Sequence, residues 1–139
     1  MNSFESIAES LSAEQSPALP PDIATIRAFT AYIRSVLFAD SSVTAEESMF
    51  HLQNIHEQSR ELIVRAFSAQ EANHSASLSS ESDDIAWRLV KALPGIRKQA
   101  QTDVHAALRG DPAARDAAEV VAYYPGFHAL LLHSIAHRL

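Results

Sequence analysis

Asp111 stands directly before Pro112 in the run Arg109-Gly110-Asp111-Pro112-Ala113, and this pair is the sharpest chemical signal in the chain. Proline is favoured at the first position of a helix and aspartate just ahead of it, so the carboxylate is held in a fixed direction. In the simpler reading Asp111 only caps a helix over residues 112–122. In the functional reading the same carboxylate faces a cleft and binds an ammonium or hydroxyl group of a small polar substrate. The two are compatible, because a carboxylate has two oxygens and several lone pairs.

The other candidates are weaker. His133 and His137 are four residues apart, a spacing that sets two imidazoles on one helix face, but no Glu follows the first His and no third ligand stands at a telling distance. His128 lies five residues before His133 and so off that face. No metal site is expected, and His51 and His56 are read as solvated. Asp103 and His105 flank Val104 and diverge on a helix, which excludes an acid–base pair. Ser134 beside His133 and His137 lacks an orienting acid and an oxyanion-hole signature. No glycine-rich phosphate loop occurs, and Tyr123-Tyr124 before Pro125 reads as a packing corner. No catalytic residue is assigned in this chain.

The elements that must position Asp111 are helical. Three glycines in 139 residues, abundant Ala, Leu, Glu and Arg, and few alternating β-branched runs predict an all-α fold. Residues 1–21 are expected to be a flexible segment, a short frayed helix and then a linker holding Pro17, Pro20 and Pro21. A helical pair is predicted over 22–70. Asp22 caps its first helix, with Ile26, Phe29, Ile33 and Leu37 as a stripe, and Thr44 with Glu47 forms a capping box for the second, whose stripe is Met49, Leu52, Ile55, Leu62 and Ala66. The Ser-rich stretch 71–82 is expected to be a flexible connection.

A second helical unit is predicted over 83–139. Asp83 and Asp84 open a helix through Ile85, Trp87, Leu89 and Val90, Pro94-Gly95 interrupts it, and Ile96, Ala100, Val104 and Leu108 continue on one side until Arg109-Gly110 closes it. A last helix opens at Tyr124-Pro125-Gly126, with Phe127, Leu130, Leu131 and Ile135 as its apolar positions. Its pattern reaches Leu139 without a stop signal, so further chain is expected beyond it.

Composition bounds the function. Zero cysteines exclude disulfides, thiolate zinc and a cysteine nucleophile. A net charge of −6 argues against a nucleic-acid footprint, and no apolar run approaches the ~20 residues of a membrane span. An acidic N-terminus, MNSFESIAES, is unlike a secretion signal, and a cytoplasmic location is expected.

Four ordered elements carry a resemblance: Asp103-Val104, Gly110-Asp111-Pro112-Ala113, Tyr124-Pro125-Gly126-Phe127-His128-Ala129 and Ile135-Ala136-His137. In this order and at these intervals they resemble the helical N-terminal domain of bacterial serine acetyltransferases. The resemblance is close over about residues 84–139; over 1–80 only a similar helical character is recognised. It implies transfer of an acetyl group from acetyl-CoA to L-serine, giving O-acetylserine for cysteine biosynthesis. It further implies that a left-handed parallel β-helix follows, which builds trimers, holds acetyl-CoA as co-substrate and supplies the catalytic His with its Asp partner. No other cofactor is implied. The helical domains of the family join two trimers into a hexamer, so a homo-oligomer is expected. The family's substrate-contacting Asp corresponds to Asp111 alone, and the isolated chain is expected to be inactive. The competing reading is a stand-alone helical interaction module without a substrate, motivated by its large apolar faces.

Overall fold

The structure, a computed structural model, describes residues 20–68 and 75–139. These form five helices: α1 (Ile23–Leu37), α2 (Ala45–Ser68), α3 (Ser75–Gly110), α4 (Ala117–Tyr123) and α5 (Pro125–Ala136), with no strand among the described residues. The frayed helix and linker expected before residue 20 lie outside them.

The first two helices begin where their caps predict. The Thr25 amide donates to Asp22 Oδ1 at 2.7 Å, and the Thr44–Glu47 box closes in both directions, at 3.2 Å from the Glu47 amide to Thr44 Oγ1 and 2.8 Å from the Thr44 amide to Glu47 Oε2. Each cap satisfies amides that the first helical turn leaves unpaired.

The third helix departs from expectation. Residues 75–82, read as part of a Ser-rich connection, are helical, and Pro94-Gly95 lies inside α3 rather than ending it. At 36 residues α3 is about 54 Å long. Its continuity follows from what it buries: Ile85, Leu89, Leu93, Ile96, Ala100 and Val104 all face inward, on both sides of the proline. Pro94 itself is exposed, so its ring points to solvent and only one helical hydrogen bond is lost. Ser82, fully buried, donates to the Ser79 carbonyl at 2.9 Å and so is satisfied within the helix. The helix does stop at Gly110, but without a left-handed residue, since no glycine has positive φ. Pro112 ends it instead, having no N–H for the Leu108 carbonyl and disfavouring helical backbone at Asp111.

α3 is the spine. It packs against α2, α4 and α5, while α1 closes the other side against α2 and α5. One core joins Phe29, Ile33 and Leu37 of α1, Ile55 of α2, the inward face of α3, Val120 of α4, and Phe127, Leu131 and Ile135 of α5. Phe38 packs edge-on against Phe127, ring centres 5.7 Å apart. Several stripe residues proposed from periodicity stay outside: Met49 is 58% exposed, Trp87 46% and Leu130 51%. The inward face of α2 instead runs through Ile55, Ser59 and Ile63, and that of α5 through Phe127, Leu131 and Ile135. No helix among the described residues is long and apolar enough to cross a membrane.

Candidate functional site

Asp111 lies half-exposed at the turn between α3 and α4, and it does not cap a helix over 112–122. Residues 112–116 are irregular, and α4 starts only at Ala117 under its own cap, Asp116, which accepts from the Glu119 amide at 2.8 Å. Glu119 in turn holds Arg115 through its amide at 2.9 Å and its guanidinium at 3.2 Å. Asp116 takes the capping position, four residues before Val120, the fully buried side chain of α4. The sequence signal was present in Asp116-x-x-Glu119 but was overshadowed by Asp-Pro.

Both oxygens of Asp111 are oriented. The Ala113 amide donates to Oδ1 at 2.8 Å, closing an Asx turn, and the Tyr124 hydroxyl donates to Oδ2 at 2.9 Å from thirteen residues away. The amide of Ala113, and then the hydroxyl of Tyr124, hold the carboxyl below its usual range; the same bond to the carboxylate raises the phenol of Tyr124. The result is an ionised carboxylate fixed at two points, with about two lone-pair sites still open to a ligand. Tyr124, read from sequence as a packing corner, is therefore also the residue that aims Asp111.

Three of the seven histidines tie helices together. His51 of α2 shares a 2.8 Å hydrogen bond with the Tyr32 hydroxyl of α1. His56, 4.6 Å from the ring of Trp87, places Nε2 3.2 Å from Asp83 Oδ1, out of line for a hydrogen bond and with no other partner among the described residues. Both are half-buried, which corrects the expectation that they are solvated. His128 of α5 reaches Arg34 of α1 at 2.7 Å and the Val121 carbonyl at 2.9 Å, both through Nε2. His133 and His137 stack at 6.1 Å on an exposed face, and among the described residues no three metal-ligating side chains gather. Asp103 is engaged by Gln99 at 3.0 Å, while His105 points outward, so the two do not meet.

Residues 39–131, from the approach to α2 through most of α5, match the family described as serine acetyltransferase, N-terminal. The chain belongs to that family. The match reaches upstream of residue 84 as far as residue 39, so α2 and the start of α3, where the motifs gave only a general helical likeness, belong to the matched stretch. A plasmid serine acetyltransferase of Synechococcus elongatus is 31% identical over 121 residues, covering 77% of this chain and 38% of the relative. The chain thus spans well under half the length of that serine acetyltransferase, and Asp111 with Tyr124 and His128 falls inside the matched stretch.

Proposed function

We propose that this chain is the helical N-terminal region of a serine O-acetyltransferase. In that reaction the hydroxyl of L-serine attacks the thioester carbonyl of acetyl-CoA, a C–O bond replaces the C–S bond, and the hydroxyl proton leaves with a general base to reach the departing thiolate. The observation that carries the reading is the Asp111 carboxylate, ionised and held at 2.8 and 2.9 Å by Ala113 and Tyr124 within the family-matched stretch. Such a group suits the ammonium of an amino acid, a charge-assisted contact. General-base catalysis needs a base within about 3 Å of the serine hydroxyl. We assign that base, and the acetyl-CoA site, to a further domain, so the 139 residues alone should release no thiol. The expected setting is cytoplasmic.

The test uses an enzyme in which these residues replace the matched N-terminal segment of the Synechococcus relative. With Asp111→Asn, KM for serine should rise roughly tenfold or more, as expected for losing a charged contact, while KM for acetyl-CoA stays put. Tyr124→Phe should give a smaller shift in the same direction. Unchanged serine kinetics in Asp111→Asn would remove this residue from the substrate site.

A second reading gives the helices an assembly role, joining copies of the enzyme or docking a partner. Its support is the outer face of α2 and α3, where Met49, Leu52 and Trp87 are exposed around a shallow groove of about 520 Å³. Sedimentation across a wide concentration range should show self-association that Trp87→Lys weakens. A strict monomer throughout would count against it.

A further inference from the structure

Between α1 and α5 lies a cleft of about 420 Å³, walled by Arg27, Thr30 and Arg34 on one side and His128 and Leu132 on the other. Its charge is at odds with the rest of the molecule. The chain carries 17 acidic against 11 basic residues, yet neither α1 nor α5 contains a single Asp or Glu, and among the described residues no carboxylate lines the cleft. Arg27 and Arg34 are seven residues apart and so project from the same face of α1, about 10.5 Å apart along its axis.

The contacts of His128 leave Arg34 without a proper acceptor among the described residues. Nε2 of His128 meets both the guanidinium of Arg34 and the carbonyl of Val121, and these demand opposite roles of one atom: a bare nitrogen for the first, an N–H for the second. The carbonyl decides between them. The residue four positions after Val121 is Pro125, which has no N–H, so the helical partner of that carbonyl is missing. A buried or half-buried carbonyl left without a donor is costly, and the Nε2 hydrogen is the group in place to satisfy it. With the hydrogen there, Arg34 faces a donor instead of an acceptor. A guanidinium presents five donors in a fixed fork suited to oxyanions, and Arg34 is half-buried, where such contacts are stronger than in open water.

We propose that the cleft between α1 and α5 is a binding site for a small organic oxyanion, a carboxylate or phosphate ester, gripped by Arg34 with Arg27 at the rim. The apolar part of the ligand lies on Ala129, Leu131 and Leu132. Binding would draw Arg34 off His128 and leave the His128–Val121 bond intact. The volume is within the range of small-molecule sites, roughly 300–1,000 Å³. This site is distinct from Asp111, whose charge has the opposite sign and suits a cation.

The test is a titration of the isotope-labelled chain, followed by NMR at constant ionic strength, with inorganic phosphate in one arm and butyrate in the other. Saturable shifts are expected at the Arg34 side-chain Nε–H, the His128 ring and the Thr30 amide, with butyrate also moving the Leu132 methyls. Response to phosphate alone assigns a phosphoryl ligand, and response to butyrate assigns a carboxylate with an alkyl body. Arg34→Gln should weaken binding roughly tenfold or more, the loss of a charge-assisted contact. Arg27→Gln, at an exposed position clear of the core, should weaken it several-fold and supplies the reading if Arg34→Gln perturbs the fold. Arg97→Gln on α3 should leave it as it was. Absence of a saturable response to both probes overturns the proposal, as does unchanged affinity in both cleft variants.

Discussion

The dipeptide Pro-Gly occurs twice, at Pro94-Gly95 and at Pro125-Gly126, and the two copies do opposite things. The first sits within α3 and leaves it running; the second separates α4 from α5. Proline removes the same amide in both places, so the difference lies in the neighbours. Around Pro94, the buried side chains Leu89, Leu93, Ile96 and Ala100 keep a single inward face only if the helix goes on. Around Pro125, Val120 and Phe127 are both buried but belong to successive short helices, and Tyr124 takes an extended backbone, φ −80° and ψ 111°, as a residue before proline prefers. The orphaned Val121 carbonyl then recruits His128. A proline is a local penalty of a few kcal/mol, and burial on either side decides whether the chain bears it or turns.

This contrast can be broken most directly in the core. Leu89→Ala, at a fully buried position, should destabilise the chain by about 2–5 kcal/mol in urea unfolding, because the apolar face that carries α3 through Pro94 loses its centre. A loss below 1 kcal/mol would mean that burial does not hold α3 continuous.

Pro94→Ala should be stabilising, by about 1–3 kcal/mol, since it restores a helical amide where the helix already continues. His128→Ala should cost about 1–3 kcal/mol by stranding the Val121 carbonyl, and the amide exchange of the α4–α5 junction should quicken while that of mid-α3 does not. At the junction itself Pro125→Ala should change stability by less than about 1 kcal/mol, because proline at the first helical position costs nothing and pre-sets the backbone. Equal responses at the two prolines would dissolve the comparison.

The smallest effect concerns acid. The folded pKa of Asp111 lies below the ordinary aspartate value of 3.8, so its two hydrogen bonds contribute stability that is fully present above that value and is lost as pH falls through the folded pKa. Asp111→Asn, whose amide does not titrate, should therefore show a flatter decline of the urea midpoint below about pH 4, the range set by ordinary aspartate. An unaltered slope would show that the Ala113 and Tyr124 bonds do not survive in solution.

Much of the molecule could be read without coordinates. The caps at Asp22 and Thr44, the stop at Gly110-Asp111-Pro112 and the break at Tyr124-Pro125 depend on groups within four residues of one another, and local sequence carries that information in full. The four elements around Asp111 pointed to the family that residues 39–131 match. Less visible were Asp116 as the true cap of α4 and the partnership of Tyr124 with Asp111, which spans thirteen residues and depends on how the turn after α3 folds back.

What sequence alone determined is therefore local: helical class, the starts of α1, α2 and α5, and an aspartate fixed ahead of a proline. Tertiary structure decided the rest. It carried α3 through Pro94, turned Met49, Trp87 and Leu130 outward, used His51, His56 and His128 as ties between helices, and set two arginines against a histidine in one cleft. The physical reason is range: caps and turns are settled by hydrogen bonds a few residues long, whereas burial and side-chain contacts between helices depend on which faces meet, and Arg34 meets His128 across 94 residues of chain.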